Sequence, residues 1–247
     1  VYGEGMYECK EQGVVFPPPR NNEDLKDAKY DFISQHSKSI LIPLPTKENS
    51  HILPTSIYAL TKYNQEQILL LAAKNLNIDV AILRYQNVFG PGQSLSNPYT
   101  GILSIFSTRI LNGNDIEIYE DGMQTRDFVY IEDVVNATVL ALKKSNLKSQ
   151  VYNVGSGKPI TVLKVAQKLK ELYNTKTNIT ISNKYRKGDI RHNFADLSLI
   201  KQELGFVNAF SFDRGLLNFV KWVQKQDIQD DKYDSSVQEM MQKGIMK

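Results

Sequence analysis

Tyr58 and Lys62 are the first two residues whose types and spacing could do chemistry. Residues four positions apart lie on the same face of a helix, and a nearby cation favours the ionised form of a tyrosine. Such a pair could exchange a proton with a substrate hydroxyl near neutral pH. The spacing by itself is weak evidence, because a chain with 13 tyrosines and many lysines contains about one Tyr-x-x-x-Lys by chance. The pair becomes a candidate because a capped helix and a buried strand are predicted around it.

Three arginines form a second group of candidates, because each lies near a loop glycine or an acidic residue: Arg126, Arg186 and Arg191. The planar guanidinium group matches the oxygen atoms of a phosphate, so these residues could hold a pyrophosphate. The alternative is an ordinary surface ion pair, for instance with Asp127 or with Asp189. On spacing alone, the ion pair is the more common arrangement.

Two features that many nucleotide-binding proteins carry are absent from the sequence. A dinucleotide fingerprint has the form Gly-x-Gly-x-x-Gly, and the partial matches that begin at Gly3, Gly90 and Gly155 all lack the third glycine. A phosphate loop has serine or threonine after its Gly-Lys pair, whereas the pair at 157–158 precedes a proline. We therefore expect that this chain by itself does not hold the pyrophosphate of a dinucleotide.

The composition is that of an ordinary globular protein, with 41% hydrophobic and 23% charged residues among 247. The net charge of +3 is too small for a nucleic-acid-binding surface, and no apolar run approaches the roughly 20 residues that cross a bilayer. The single cysteine, Cys9, excludes an internal disulfide and fits a reducing compartment. The scattered histidines show no metal-ligand spacing. We expect a cytoplasmic protein with no nucleic-acid or membrane partner and no bound metal.

Helices and strands alternate along most of the chain. A helix fits residues 56–76, and the continuous apolar segment at 79–84 that follows is typical of a strand buried in a parallel sheet. Similar alternation continues to residue 226, which indicates an α/β fold. Residues 10–55 are punctuated by prolines and predict an irregular insertion with only short helices or strands. Residues 227–247 are polar and predict either a loose helix or disorder.

Six segments stand out together by their order and spacing: VYGEG (residues 1–5), SIYALTK (56–62), LRYQNVFGPGQ (83–93), IYEDGMQTRDFV (118–129), NVGSG (153–157) and RKGDIRH (186–192). As a set they resemble the extended short-chain dehydrogenase/reductase superfamily, and specifically its NAD-dependent nucleotide-sugar epimerase/dehydratase family. The insertion and residues 93–111 most resemble enzymes of the dTDP-L-rhamnose 4-epimerase type. The resemblance extends over nearly the whole chain, to about residue 226.

The resemblance implies the C-terminal part of a Rossmann-type parallel sheet together with a smaller α/β substrate-binding lobe. Residues 1–95 would be the remaining part of the NAD domain, with the irregular insertion at about 10–55. Residues 96–226 would mainly form the nucleotide-sugar-binding lobe, with a segment at about 126–155 returning to the Rossmann domain. Residues 227–247 would be a polar tail.

The resemblance also implies the reaction. NAD would transiently oxidise a nucleotide sugar, most simply at C4 of a dTDP- or UDP-sugar, and the keto sugar would be reduced again from its other face. Tyr58 and Lys62 would be catalytic and would both contact NAD. Tyr58 would take the proton of the sugar hydroxyl, and Lys62 would bind the nicotinamide ribose and favour the ionised tyrosine.

Four further residues would bind the substrate. By resemblance, Asn87 would lie near the sugar and its phosphate, Arg126 and Arg186 would bind the pyrophosphate, and Asp189 would hold the nucleotide ribose. The resemblance does not assign a role to Arg191. Some relatives carry a Cys-x-x-Cys pair in the insertion, but the comparable stretch of this chain has no cysteine, which again predicts no metal.

Two parts of the family pattern are not in this sequence, namely the glycine-rich turn and the catalytic Ser/Thr that precedes the Val-Tyr-Gly segment. We therefore expect a C-terminal portion that is inactive alone and requires a missing or separately encoded N-terminal half, or a non-catalytic nucleotide-sugar-binding remnant. A 4,6-dehydratase and a 4-keto reductase remain alternatives. Relatives are homodimers built from two helices of each subunit, of which only the helix at 56–76 is present. We also expect an apolar sheet edge at 80–83.

Overall fold

The computed structural model describes residues 1–97, 101–144 and 149–247, which form an α/β fold. The helices are α1 (Asn22–Lys26), α2 (Ile57–Leu76), α3 (Ile102–Leu111), α4 (Ile131–Lys143), α5 (Val162–Leu172), α6 (Ser198–Leu204), α7 (Phe212–Val223) and α8 (Tyr233–Gln242). The strands are β1 (Met6–Cys9), β2 (Gly13–Val15), β3 (Ile42–Leu44), β4 (Ala81–Tyr85), β5 (Asn87–Phe89), β6 (Ile116–Ile118), β7 (Thr125–Tyr130), β8 (Gln150–Val154), β9 (Pro159–Thr161), β10 (Ile179–Ile181) and β11 (His192–Asn193). Among these described residues, no helix combines the length and the apolar composition that a bilayer crossing requires.

Parallel strand pairs dominate the topology and confirm the predicted α/β architecture. Strand β4 pairs with β8, β5 with β7, β6 with β10 and β7 with β11, all in parallel. Antiparallel pairs also occur: β1 pairs in this way with β2 and β3 of the insertion, and β7 pairs in this way with β9. In the β5–β7 pair, Asn87 lies opposite Phe128. This register places Asn87 close to Arg126, which lies two residues before Phe128 on β7.

Helix α2, which carries Tyr58, forms for local reasons. Ser56 caps its first turn, because the serine hydroxyl accepts a hydrogen bond from the backbone N–H of Ala59 at 3.1 Å. Asn77 ends the helix in the left-handed conformation, with a φ of 52°. Both ends agree with the prediction. Several apolar side chains of this helix are nevertheless exposed, among them Ile57 at 83% and Ile68 at 65%.

Two clusters of buried apolar side chains hold the other elements together. The larger joins β5, β6 and β7 to α3, α5 and α7, and it includes Phe89, Leu103, Ile116, Phe128, Leu169 and Phe219. The smaller joins β8 to α4 and α6, and it includes Ala137, Tyr152, Val154, Ile200 and Phe206. Burial of large apolar side chains against one another supplies most of the stabilisation of such a fold.

Strand β4 is less buried than its apolar sequence predicts. Ile82 is 6% exposed, but Ala81 and Leu83 are only partly buried. Within the described residues, β4 has β8 as its only strand partner. The apolar sheet edge expected at 80–83 is therefore open on one side, where it borders a cavity.

The C-terminal segment is folded, which its polar composition left undecided. Residues 227–247 contain α8, on which Tyr233 and Val237 are buried. Met246 is also buried, and it forms a backbone bridge with Arg186. These contacts join residues far apart in the sequence, so the local pattern of polar residues gave no sign of them.

Candidate active site

Tyr58 and Lys62 lie together on the first two turns of α2. The Nζ atom of Lys62 is 5.7 Å from the centroid of the Tyr58 ring, and it donates a hydrogen bond to Oε1 of Gln65 at 3.3 Å. The tyrosine is 71% exposed. Both residues line a cavity of about 630 Å³, which Asn87 and Arg126 also line. The predicted acid–base pair is therefore accessible to a ligand in this cavity.

A buried ion pair fixes α2 against β4. Arg84 on β4 donates from Nε and Nη2 to the two carboxylate oxygens of Glu66 on α2, at 2.9 and 2.7 Å. The same guanidinium group donates to the hydroxyl of Tyr2 at 2.7 Å, and that hydroxyl donates to Oδ1 of Asn153 at 2.7 Å. A bidentate pair of this kind restricts orientation as well as distance. Arg84 and Glu66 thus position the helix that carries Tyr58, a role that the sequence analysis missed.

The segment at residues 1–5 forms part of the wall of this first cavity. Val1, Tyr2 and Gly3 all line it. A Cβ atom at Gly3 would lie 2.5 Å from the carbonyl oxygen of Leu53, and the φ angle of Gly3 is +67°. Only glycine tolerates both the close approach and this backbone conformation, which explains the glycine of the Val-Tyr-Gly segment.

A second cavity, of about 370 Å³, contains the other predicted residues. Arg186 and Asp189 line it, and so do Asn87 and Arg126. Asn87 and Arg126 therefore border both cavities. Asn87 is held there by a hydrogen bond from its Nδ2 to the carbonyl oxygen of Asp127 at 3.2 Å. The fold thus brings all six predicted site residues to two adjoining cavities, although they are spread over more than half of the sequence.

Arg126 is a cation without a carboxylate partner among the described residues. Its Nη1 donates to the backbone carbonyls of Thr125 at 2.8 Å and Arg191 at 3.2 Å. Burial lowers the pKa of its guanidinium group, and the charge of Asp189 works in the opposite direction. The alternative of an ion pair with Asp127 is wrong. A partly buried and unneutralised guanidinium group is suited to an anionic ligand.

Arg186 does form the ion pair that its spacing allows. Its Nε lies 3.2 Å from Oδ1 of Asp189, and the two side chains are 46% and 36% exposed. An exposed pair of this kind contributes little stability. Both side chains therefore remain available to a ligand in the second cavity.

Arg191, which the resemblance left without a role, is a structural residue. It is 1% exposed and lines neither cavity. Its guanidinium group donates to both carboxylate oxygens of Asp121, at 2.7 and 2.8 Å, and to Asp31 at 2.7 Å. Burial disfavours its charge, but hydrogen bonds to these two carboxylates raise its pKa overall. The residue joins the insertion to the turn after β6.

The insertion also supports the loop that carries Asp189. Arg20 donates to the two carboxylate oxygens of Glu120, at 2.8 and 2.9 Å, and to the carbonyl oxygen of Asp189 at 2.7 Å. The Nε atom of Arg20 lies 3.5 Å from the buried carboxylate of Glu4. The sequence analysis did not single out Arg20 or Glu4. Arg20 binds Glu120 and Asp189, and Glu4 accepts a hydrogen bond from the N–H of Arg191, and all three of these partners lie at least 100 residues away along the chain.

Glu4 makes this buried group of charges sensitive to pH. Burial raises the pKa of its carboxyl group from 4.5 to about 7, against the effects of the Arg191 N–H and the Arg20 charge. The folded state then binds the proton more tightly than the unfolded state does, so protonation of Glu4 stabilises the fold. This stabilisation is lost as the pH rises through about 7. We expect the free energy of unfolding to fall by about 2–3 kcal/mol between pH 5 and pH 8. Urea denaturation across this pH range measures the change.

The control for this prediction is the Glu4→Gln variant, which cannot titrate at that position. Its free energy of unfolding should vary less with pH than that of the unsubstituted chain. Identical pH profiles for the two proteins would contradict the assignment to Glu4.

The first cavity has groups that fit one end of a dinucleotide. The phenol of Tyr58 and the ammonium group of Lys62 can form hydrogen bonds with a ribose and its attached ring. The glycine-rich turn that would seat a pyrophosphate is absent from the 247 residues. The residues present therefore fit a ribose with its attached ring, but they include no turn that would hold the pyrophosphate of a dinucleotide.

Comparisons with known proteins show which family part of this chain resembles. Residues 36–155 match the model of the NAD dependent epimerase/dehydratase family. The chain is 34% identical over 227 residues to dTDP-L-rhamnose 4-epimerase of Burkholderia thailandensis, an alignment that covers 92% of this chain and 61% of the relative.

Two solved structures that resemble this chain are also those of nucleotide-sugar 4-epimerases. The UDP-N-acetylglucosamine 4-epimerase of Methanobrevibacter ruminantium, in complex with UDP-N-acetylmuramic acid, has a TM-score of 0.69 at 33% identity, over 74% of this chain and 58% of that chain. The UDP-glucuronic acid 4-epimerase of Bacillus cereus, in complex with UDP-glucuronic acid and NAD, has a TM-score of 0.67 at 27% identity, over 74% and 57%. The chain thus spans 57–61% of the length of these three proteins. Residues 36–155 of this chain are therefore similar to the NAD dependent epimerase/dehydratase family.

Proposed function

We propose that this chain binds a nucleotide sugar and carries the acid–base pair of an NAD-dependent nucleotide-sugar 4-epimerase. The observation that carries the proposal is the position of Asn87 and Arg126, which line both cavities. One ligand can therefore extend from Arg126 and Arg186 in the second cavity to Tyr58 in the first. A dTDP- or UDP-sugar has the matching chemistry, with an anionic centre between a sugar and a nucleoside.

In this proposal the second cavity binds the anionic part of the substrate. Arg126 and Arg186 hold the pyrophosphate, since guanidinium groups form charge-assisted hydrogen bonds with phosphate oxygens. When the substrate binds, the carboxylate of Asp189 accepts hydrogen bonds from the hydroxyls of the nucleotide ribose, and these partly replace its ion pair with Arg186. Asn87 contacts the sugar where it passes from one cavity to the other.

Tyr58 is the acid–base group in the first cavity. Its phenol takes the proton from the C4 hydroxyl of the sugar and later returns a proton to the same oxygen. Lys62, on the same helix face, places its positive charge 5.7 Å from the centroid of the ring. NAD, when bound, supplies the hydride chemistry. Arg84 and Glu66 keep α2 in place while the proton moves.

Removing the charge of Arg126 tests the proposed substrate binding. We expect the Arg126→Ala variant to bind dTDP and UDP about 10–100-fold more weakly than the unsubstituted chain, because a hydrogen bond to a charged group contributes about 1.5–3 kcal/mol. Isothermal titration calorimetry measures both affinities. The matched control is Arg214→Ala, which removes an exposed arginine outside both cavities. Equal losses in the two variants, or no binding by the unsubstituted chain, would contradict the proposed site.

A second experiment tests the reaction. We expect no turnover when the purified chain is given NAD with a dTDP- or UDP-sugar, because its 247 residues contain no glycine-rich turn for the pyrophosphate. Joining it to the N-terminal part of the Burkholderia thailandensis relative should produce an epimerised sugar, detectable by proton NMR. Turnover by the chain alone would disprove the predicted inactivity. Binding without turnover in the joined protein would favour a non-catalytic nucleotide-sugar-binding protein.

A further inference from the structure

Helix α8 forms one wall of the second cavity. Tyr233, Ser236 and Met240 line this cavity together with Arg186 and Asp189. These three residues lie on one face of α8, at spacings of three and four positions. The neighbouring Met241 is 40% exposed and is not part of the cavity wall. The C-terminal segment thus presents a defined face to the site that the proposed function assigns to the substrate.

Long-range contacts hold α8 firmly in this position. Arg109 on α3 is 8% exposed, and its Nη1 donates to Asp231 at 3.2 Å and to Asp234 at 3.1 Å. The same guanidinium group lies 4.3 Å from the centroid of the Tyr233 ring. A wall fixed by a buried ion pair and a cation–π contact can select a ligand by its shape.

The residues after α8 are tied directly to the loop that carries Arg186. The N–H of Tyr185 donates to the carbonyl of Lys247 at 2.9 Å, and the N–H of Lys187 donates to the carbonyl of Ile245 at 2.9 Å. Arg186 therefore lies between two backbone hydrogen bonds to the C-terminal segment. The position of α8 and the position of this arginine are coupled.

The chemistry at this end of the cavity suits a planar heterocycle. The Tyr119 and Tyr233 rings are stacked, with centroids 6.4 Å apart and an interplanar angle of 23°, and their hydroxyls are 2.7 Å apart. Met240 adds a polarisable apolar surface. Two carboxamide oxygens of cavity-lining residues, Oε1 of Gln93 and Oε1 of Gln124, are buried and have no hydrogen-bond partner among the described residues. Gln124 is only 8% exposed. Buried acceptors of this kind need a hydrogen-bond donor, which an N–H group of a bound ligand can supply.

We propose that α8 is the nucleoside-binding wall of this protein, where Ser236 and Met240 contact a pyrimidine base of the substrate. The inference rests on the proposed function, which puts the pyrophosphate at Arg126 and Arg186. With the sugar directed towards Tyr58, the nucleoside occupies the opposite end of the same cavity, against α8. The imide N–H of uracil or thymine supplies the donor that the carboxamide oxygens lack.

Two adjacent methionines provide a matched test. In Met240→Trp a large indole occupies the cavity wall, whereas in Met241→Trp the same change falls on the exposed face of α8. We expect the affinities for dTDP and UDP, measured by isothermal titration calorimetry, to fall at least tenfold in Met240→Trp and less than twofold in Met241→Trp. Thermal unfolding monitored by circular dichroism establishes that both variants are folded.

A measurement on the unsubstituted chain covers the case in which Met240→Trp does not fold. Saturating dTDP or UDP should slow hydrogen exchange at the backbone amides of α8 by severalfold, with no comparable change in α6. If both nucleotides bind but neither variant differs from the parent and α8 exchange is unchanged, the inference fails and the proposed function stands. If neither nucleotide binds the parent chain, the proposed function fails together with the inference.

Discussion

Replacement of Tyr58 with phenylalanine is expected to lower the turnover number of the joined enzyme by about 10²–10⁴-fold, the range that a positioned acid–base group contributes. Phenylalanine keeps the ring and removes the one atom that can exchange a proton with the sugar. The helix should form as before, because its cap at Ser56 and its ion pair at Glu66 are untouched. The initial rate of sugar epimerisation, followed by proton NMR, measures the effect.

The control for this prediction is Tyr63→Phe, which makes the same change on the same helix at a residue outside the first cavity. Its turnover number should stay within twofold of that of the parent. Binding of dTDP should be the same in both variants and the parent, because the second cavity contains neither tyrosine. A less than tenfold fall in turnover for Tyr58→Phe would exclude this phenol as the main acid–base group.

Replacement of Asp127 with alanine is expected to lower the free energy of unfolding by about 3–5 kcal/mol. This carboxylate is 0% exposed, and it accepts hydrogen bonds from the backbone N–H groups of Ser156 at 2.7 Å, Gly157 at 3.0 Å and Ala195 at 3.1 Å. Burial raises its pKa, although the hydrogen bonds from Ser156 favour the ionised form. Alanine leaves three amide groups without a partner, and each such loss costs about 1–3 kcal/mol.

Urea denaturation monitored by circular dichroism measures this change, and Asp79→Ala, at an exposed position, is the control. The control should alter the free energy of unfolding by less than about 0.5 kcal/mol. Asp127→Asn should fall between the two, because its carboxamide keeps one acceptor oxygen. A loss below about 1 kcal/mol in Asp127→Ala would mean that the three N–H groups find other partners.

The same carboxylate explains Gly155 in the segment at 153–157, which the sequence analysis treated as a partial dinucleotide fingerprint and as part of a family pattern. A Cβ atom at Gly155 would lie within van der Waals overlap of Oδ2 of Asp127. The glycine therefore permits the close approach of this backbone to a buried anion. The segment binds a carboxylate of its own chain. This contact explains the glycine, so no phosphate ligand is needed to explain it.

Arg126 and Asp127 show how neighbours in sequence can have opposite roles. Their adjacency suggested a surface ion pair, but adjacent residues on a strand point to opposite faces of the sheet. Asp127 points into the interior and bonds to three amides, whereas Arg126 borders two cavities and bonds to two backbone carbonyls. Alternation of side chains along β7 separates a structural residue from a candidate ligand-binding residue.

The sequence by itself determined the features that depend on neighbouring residues. The cap at Ser56, the end of α2 at Asn77 and the α/β alternation all follow from local hydrogen bonding and from the periodicity of apolar residues. Only the tertiary structure decided that Arg126 pairs with no carboxylate in the part of the chain that is described, that Arg191 is structural and that the polar C-terminal residues line the second cavity. These three outcomes depend on contacts between residues more than 60 positions apart, such as Arg109 with Asp231. Such contacts leave no periodic trace in a single sequence, because the partners are brought together only when the strands pair and the helices pack.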